Sequence, residues 1–131
     1  MQMTPITGAV GAELSGLDLK HPISADLAQD LRKVLDQYLV VVIRNQGLDA
    51  TQHRHLCEIF GNPLINPYAP GPQAHPEMTF IIKEADDRSG VFGGGWHTDL
   101  SFLEQPPSGS VLCALEVPPY GGDTLFSNQQ A

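Results

Sequence analysis

Glycine and proline interrupt this chain often, above all after residue 60, and that leaves room for long helices only in its first half. The sequence has 13 glycines and 11 prolines in 131 residues, against an average share of about 12% for the two types together. Because both disfavour helix interiors, the excess favours turns and ordered loops over a helical bundle. With 41% hydrophobic residues, the chain can still form a folded core.

Strong secondary-structure signals precede residue 44. Glycines alternate with apolar residues over 4–19, which predicts short strands joined by tight turns. Ser24 is a good N-cap, and apolar residues at helical spacing from there to Tyr38 predict a helix. The β-branched run over 39–43 follows directly and predicts a buried central strand.

The remaining chain changes from helix to predicted strands. Asp49 and Gln52 match a D-x-x-Q capping box, which predicts a second helix ending at Gly61. The proline-rich segment 63–76 is long for a connection, and we expect an ordered lid or binding loop. Helices early and strands late predict an α+β class dominated by β structure. The predicted late strands are 78–83, 96–102, 110–117 and 124–126.

Charge and cysteine content exclude several functional classes. The formal net charge is −8 with only 7 lysines and arginines, so neither nucleic acid nor an anionic membrane surface is an expected partner. The longest apolar run, 38–43, is far shorter than the roughly 20 residues of a membrane span, and the first residues lack signal-peptide features. Cys57 and Cys113 are predicted to be buried, reduced thiols of a cytoplasmic protein.

The densest chemical signal is the sequence GGGWHTDLSF, which begins at Gly93. His97 and Asp99 are two residues apart, so on a strand their side chains leave the same face. Together they supply two ligands of a 2-His-1-carboxylate metal site, which leaves open positions for a chelating cosubstrate and O₂. The residues alone leave a second interpretation open, in which His97 hydrogen-bonds a neighbouring Asp in a turn. We expect Trp96 and Phe102 beside them to pack in the core.

Four segments in register carry a shared pattern. They are GAELSGLDL, YLVVVIRNQGLDATQH followed by EIFG, WHTDLSF, and PPYGGDTLFSN. Together they resemble the TauD/TfdA family, the taurine-dioxygenase-like iron(II)- and 2-oxoglutarate-dependent oxygenases, over about residues 6–128. The resemblance implies a double-stranded β-helix, or jelly roll, with flanking N-terminal helices.

The resemblance also implies roles for individual residues. His97 and Asp99 match the first two iron(II) ligands, and Thr124 matches the threonine that binds the distal carboxylate of 2-oxoglutarate. The implied reaction is hydroxylation of a small, anionic organic substrate by O₂, with succinate and CO₂ formed from 2-oxoglutarate.

Substrate contacts are implied at Asn66, Tyr68 and Gly93. Taurine-type members have a histidine and an asparagine where this chain has Asn66 and Gly93. A substrate other than taurine is therefore expected. Alkyl sulfates, other sulfonates, phosphonates, aryloxyacetates and amino-acid derivatives all remain open.

Two residues of the family pattern have no counterpart in this chain. The third iron ligand is a downstream histidine, but no histidine follows His97, and the last arginine, Arg88, precedes the place of the arginine that pairs with 2-oxoglutarate. Family members are about twice this long. We therefore expect residues 1–131 to be the N-terminal part of one oxygenase domain whose C-terminal half is absent, and the fragment to be inactive.

Other interpretations stay open. His53 and His55 are expected to have surface or packing roles, and His75 in the proline-rich loop is the least implausible substitute for the third ligand. The chain could instead be a non-catalytic β-rich module that binds a ligand or partner through that loop. A metal-assisted hydrolase that uses His97 and Asp99 is a further alternative. The sequence is compatible with a homo-oligomer.

Overall fold

The computed structural model describes residues 1–84, 86–88, 90 and 92–130. The chain separates into two compact units, one containing residues 1–60 and the segment that starts at Val111, the other containing residues 61–110. Nowhere in the described part of the chain is a helix long and apolar enough to cross a membrane. The elements are β1 (Gln2–Pro5), β2 (Ala12–Ser15), α1 (Ala25–Tyr38), β3 (Val41–Ile43) and α2 (Ala50–Glu58).

The three strands form one mixed sheet in the order β1-β2-β3. β1 and β2 pair antiparallel. In the turn between them, the Thr7 hydroxyl accepts from the Val10 N–H at 2.9 Å and donates to the Val10 carbonyl at 2.6 Å. β2 and β3 are parallel, which requires a crossover connection, and α1 supplies it. The predicted strands and tight turn of the opening segment are confirmed.

Helix α1 has ends that local chemistry explains. The Ser24 hydroxyl accepts a hydrogen bond from the Leu27 N–H at 3.2 Å, so the predicted N-cap is confirmed. At the other end Leu39 is left-handed, with φ of 66°, and its N–H donates to the Leu35 carbonyl at 2.7 Å. This residue ends the helix and redirects the chain, so β3 begins at Val41.

The core of the first unit is a cluster of leucines around the sheet. β3 packs against this cluster with half-buried side chains and lies at an edge of the sheet, so the prediction of a buried central strand is wrong. Cys57 and Cys113 form no disulfide bond within the part of the chain that the structure describes, and both are half-buried, less covered than predicted. The buried members of the cluster are Leu14, Leu19, Leu31, Leu48 and Leu56.

Helix α2 begins with the predicted capping box. The Gln52 N–H donates to the Asp49 carboxylate at 2.8 Å, and the Asp49 N–H donates to the Gln52 side-chain oxygen at 2.9 Å. These two bonds satisfy backbone donors that the first helical turn leaves open. The helix ends at Glu58, before the predicted stop at Gly61.

The strands predicted for the second half of the chain are not formed. In the described residues, 78–83, 96–102, 110–117 and 124–126 contain no strand. A strand needs a hydrogen-bonded partner, and β-favouring residue types alone do not supply one. The α+β class stands, but the dominance of β structure is wrong for the residues described, since the two helices contain more residues than the three strands.

Turns order the unit of residues 61–110 instead. The Gly71 N–H donates to the Pro76 carbonyl at 3.0 Å, and the Thr79 hydroxyl donates to the Ala69 carbonyl at 2.7 Å. These bonds hold the proline-rich loop in a defined conformation, as predicted. Its role as a lid or binding loop stays a prediction.

Candidate metal centre

His97 and Asp99 form a close pair in the second unit. Their Nε2 and Oδ1 atoms are 3.1 Å apart, and each side chain is about half exposed. No strand brings them together: Asp99 begins a turn in which the Leu103 N–H donates to the Leu100 carbonyl at 3.1 Å. The two side chains lie close together, as predicted, but the predicted strand is absent, and the pairing in a turn is the arrangement that the second interpretation described.

The contact of Nδ1, the other ring nitrogen of His97, determines which nitrogen carries the proton of the neutral ring. Nδ1 lies 2.7 Å from the Gly95 carbonyl, and because a carbonyl only accepts, Nδ1 carries a proton. A neutral ring then presents the Nε2 lone pair to a carboxylate oxygen. Two acceptors this close need a cation between them, which is either a second proton or a metal ion.

The pKa of His97 reflects this arrangement. It is raised above the ordinary value for histidine, chiefly by the hydrogen bond to the Gly95 carbonyl and further by the Asp99 carboxylate, while desolvation acts in the opposite direction. The raised pKa means that a second proton on the ring, at Nε2 facing Asp99, is favoured.

The donor pair fits a divalent metal ion. Imidazole nitrogen and carboxylate oxygen each bind such ions at about 2.1 Å, so one ion can contact both atoms across the 3.1 Å gap. A hydrogen bond from Nδ1 to a backbone carbonyl is a common way of orienting a ligating histidine. Within the described ranges, no group of three or more His, Cys, Asp and Glu side chains is arranged to hold a metal ion.

Asp99 has a further partner, Ser110, that sequence reasoning missed. The Ser110 hydroxyl donates to Oδ2 of Asp99 at 2.6 Å. The two residues are 11 positions apart, and Ser110 begins a predicted strand, so no local pattern indicates the contact. Thr98 has a different partner, because its hydroxyl donates to the Ser101 hydroxyl at 2.7 Å.

Gly93 lies against the imidazole of His97. Its φ is 70°, in the left-handed region that favours glycine, and a Cβ built there would lie 3.2 Å from Cε1 of His97. Position 93 is therefore next to the pair formed by His97 and Asp99. That it contacts substrate stays a prediction.

Asn66 and Tyr68 form a local turn in the proline-rich loop. The Tyr68 N–H donates to Oδ1 of Asn66 at 2.9 Å. The Tyr68 ring meets the Phe102 ring edge-on, with centroids 5.8 Å apart and an angle of 62°. The loop thus contacts the segment that carries His97 and Asp99. Phe102 and Trp96 are largely exposed, so the prediction that they pack in the core is wrong.

Thr124 belongs to the first unit, where its side chain is exposed. It follows Gly121 and Gly122, which have φ of 78° and 71°. Downstream, the Asn128 side-chain amide donates to the Ala9 carbonyl at 2.8 Å, which attaches the segment to the turn between β1 and β2. That Thr124 binds 2-oxoglutarate stays a prediction.

The other histidines considered as a third ligand have local contacts of their own. His53 Nε2 lies 2.9 Å from the Val111 carbonyl, so it attaches α2 to the segment after residue 110. His55 is exposed. His75 Nδ1 lies 3.6 Å from a Glu77 carboxylate oxygen within the proline-rich loop. The contact of His53 agrees with a packing role, and the exposure of His55 agrees with a surface role.

Comparison with known proteins gives consistent matches along the whole chain. An alkylsulfatase of Acinetobacter baylyi is 32% identical over 99% of this chain and 40% of its own length. An alpha-ketoglutarate-dependent sulfonate dioxygenase of Saccharomyces cerevisiae is 35% identical over 98% of this chain and 33% of its own length. The chain therefore spans less than half the length of these relatives.

A solved structure and a family model agree with these matches. The crystal structure of a taurine dioxygenase from Burkholderia xenovorans has 32% identity and a TM-score of 0.53, covering 57% of this chain and 27% of that one. The model of the family described as "Taurine catabolism dioxygenase TauD, TfdA family" matches residues 2–131. The chain belongs to the TauD/TfdA family.

Proposed function

We propose that this chain carries part of the active site of an iron(II)- and 2-oxoglutarate-dependent dioxygenase. The enzyme would hydroxylate a small organic anion and convert 2-oxoglutarate and O₂ to succinate and CO₂. The observation that carries the proposal is the pairing of His97 Nε2 with Asp99 Oδ1 at 3.1 Å, in a ring whose Nδ1 is held by a backbone carbonyl. Membership of the TauD/TfdA family supports it.

His97 and Asp99 would hold the metal through Nε2 and Oδ1. When bound, iron(II) supplies the oxidative chemistry on a substrate C–H bond with 2-oxoglutarate and O₂. The Gly95 carbonyl keeps the ring in the tautomer that leaves Nε2 for the metal. Both side chains come from one short segment and would hold the metal together, while a third protein ligand and the cosubstrate would come from elsewhere.

Thr124 would bind the distal carboxylate of 2-oxoglutarate through its hydroxyl. A hydroxyl that donates to a carboxylate makes a charge-assisted hydrogen bond, which is stronger than a neutral one. Thr124 is exposed, so its hydroxyl is accessible to a small molecule. The left-handed glycines at 121 and 122 place it after a turn that residues with side chains rarely adopt.

Asn66, Tyr68 and Gly93 would contact the substrate. The Asn66 oxygen accepts from the Tyr68 N–H, which directs the amide oxygen inward to the turn and leaves the NH₂ group as the donor for an anion. Gly93 leaves space beside His97 that a larger residue would occupy. The Acinetobacter baylyi relative is named as an alkylsulfatase and the Saccharomyces cerevisiae relative as a sulfonate dioxygenase, and we propose an alkyl sulfate or sulfonate as the substrate.

The third metal ligand and the remaining strands would come from outside the described residues. No group of three metal-ligating side chains occurs among them, and relatives are more than twice as long as their matched part. We propose a jelly roll for the complete domain and no turnover for residues 1–131 alone. An open reading frame downstream of codon 131 that encodes a histidine and then an arginine would agree with this proposal.

Succinate formation tests the function. The protein is incubated with iron(II), ascorbate, 2-oxoglutarate and a panel of alkyl sulfates and sulfonates, with and without O₂. Turnover by the complete reading frame, lost in His97→Ala and in Asp99→Ala, is the expected result. Sulfate release that needs neither 2-oxoglutarate nor O₂ would instead show a metal-assisted hydrolase. Robust turnover by the 131-residue chain would contradict the proposed incompleteness.

A further inference from the structure

The two oxygens of the Asp99 carboxylate have different partners. Oδ1 lies 3.1 Å from Nε2 of His97, and Oδ2 accepts a hydrogen bond from the Ser110 hydroxyl at 2.6 Å. A distance of 2.6 Å is typical of a charge-assisted bond between a hydroxyl and a carboxylate. Ser110 therefore holds the carboxylate at Oδ2, while Oδ1 faces the imidazole of His97.

We propose that Ser110 is a positioning residue that makes Asp99 a one-oxygen metal ligand. This inference rests on the proposed function, because it concerns how the same metal is held. A carboxylate can bind a metal through one oxygen or both, and it rotates readily about its terminal torsion. The Ser110 hydroxyl uses a lone pair of Oδ2 and restricts that rotation, so Oδ1 stays directed at the position that His97 Nε2 also faces.

Removal of the Ser110 hydroxyl is expected to lower the metal affinity more than is usual for a change at an exposed serine. Groups that hydrogen-bond to metal ligands typically change metal affinity by about 10- to 100-fold when they are removed. Binding through one oxygen also keeps a further position on the metal open, which a chelating cosubstrate and O₂ both require. Ser110 would thus support both affinity and the open positions without contacting the metal itself.

The chain offers matched variants for a test. Ser110→Ala removes the hydroxyl, and Ser110→Thr keeps it. Ser101→Ala is the control, because Ser101 lies in the same segment but accepts from Thr98. Ser110 and Ser101 are both exposed, so we expect similar circular dichroism spectra and thermal midpoints for all three variants and the original chain.

Binding of Co(II) to the 131-residue chain is measured by calorimetry, together with infrared carboxylate bands of ¹³C-labelled aspartate. We expect Ser110→Ala to bind about 10-fold more weakly, with a smaller separation of the asymmetric and symmetric carboxylate bands, as for two-oxygen binding. Ser110→Thr and Ser101→Ala should match the original chain. The proposed role of Ser110 would be wrong, with the proposed function untouched, if Ser110→Ala left the Co(II) affinity and the carboxylate bands unchanged. The same would follow if Ser110→Thr lost as much Co(II) affinity as Ser110→Ala. Co(II) binding that survives both His97→Ala and Asp99→Ala would overturn the proposed function as well, because the metal would then be held elsewhere.

Discussion

Gly93 lies so close to His97 that a Cβ atom added to it would come within 3.2 Å of Cε1 of the imidazole. Gly93→Ala should therefore weaken metal binding by displacing the ring, and should lower the free energy of unfolding by about 1 kcal/mol because φ is positive there. Metal titration and urea denaturation measure the two effects. Gly16→Ala is the matched control, since Gly16 has nearly the same φ, 71°, and nothing within 4 Å of the added Cβ. If Gly93→Ala and Gly16→Ala weakened metal affinity equally, displacement of the His97 ring would not be the cause.

The raised pKa of His97 should depend on Asp99. The Gly95 carbonyl is the main cause and remains in Asp99→Asn, whereas the negative charge that favours the imidazolium is lost. The pKa of His97 in the metal-free chain should consequently fall in Asp99→Asn, as followed by NMR titration of the ring protons. Asp36→Asn is the control, because Asp36 is an exposed residue of α1, and it should leave the pKa of His97 unchanged. A pKa that does not respond to Asp99→Asn would contradict the pairing.

The same pKa sets a pH dependence for metal binding. A proton and a metal ion compete for Nε2, so affinity should decrease as the pH falls through the raised pKa of His97. Because the pKa is raised, this loss should begin at a higher pH than for an ordinary histidine. Co(II) titrations at a series of pH values measure it, and an affinity that is constant across the pKa found by NMR would count against His97 as a ligand.

His53 should contribute to stability and not to metal binding. Its Nε2 donates to the Val111 carbonyl at 2.9 Å, and removal of the ring leaves that carbonyl without its hydrogen bond. His53→Ala should therefore lower the free energy of unfolding by about 1 kcal/mol, while the exposed His55→Ala should change it little. Urea denaturation measures the free energy of unfolding, and Co(II) titration measures the metal affinity, which we expect to be unchanged in His53→Ala. Loss of Co(II) affinity in His53→Ala would assign His53 to the metal site instead.

Sequence reasoning succeeded where structure is determined within a few residues. The Ser24 N-cap and the Asp49–Gln52 capping box were both predictable, because each hydrogen bond joins residues three positions apart. The proximity of His97 and Asp99 was predictable for the same reason. The turn that produces it was one of two interpretations that the sequence left open, and the left-handed Leu100 within it carries no glycine signal that would have favoured it.

Long-range contacts account for what sequence reasoning missed. The segments 78–83 and 110–117 have β-favouring residues, but a strand also requires a partner segment, which no local pattern supplies. Ser110 contacts Asp99 although the two are 11 positions apart, and the residues between them show no pattern that would predict the contact. Leu39 ends α1 in a left-handed conformation that is uncommon for its residue type, and β3 therefore begins at Val41, two residues after the start of the predicted strand, and ends at the same residue.

Thr124 should affect 2-oxoglutarate and leave the metal unaffected. If its hydroxyl binds the distal carboxylate, Thr124→Ala should weaken 2-oxoglutarate binding by about 10-fold, the loss of one charge-assisted hydrogen bond of about 1.5 kcal/mol. Thr124→Ser should retain the affinity for 2-oxoglutarate, and Co(II) affinity should be the same in all variants because the proposed role of Thr124 involves no contact with the metal. Equilibrium dialysis with labelled 2-oxoglutarate measures the binding, with Thr51→Ala, an exposed threonine on α2, as the control. Equal 2-oxoglutarate affinity in Thr124→Ala and Thr51→Ala would remove Thr124 from the site and leave the cosubstrate carboxylate to residues elsewhere in the protein.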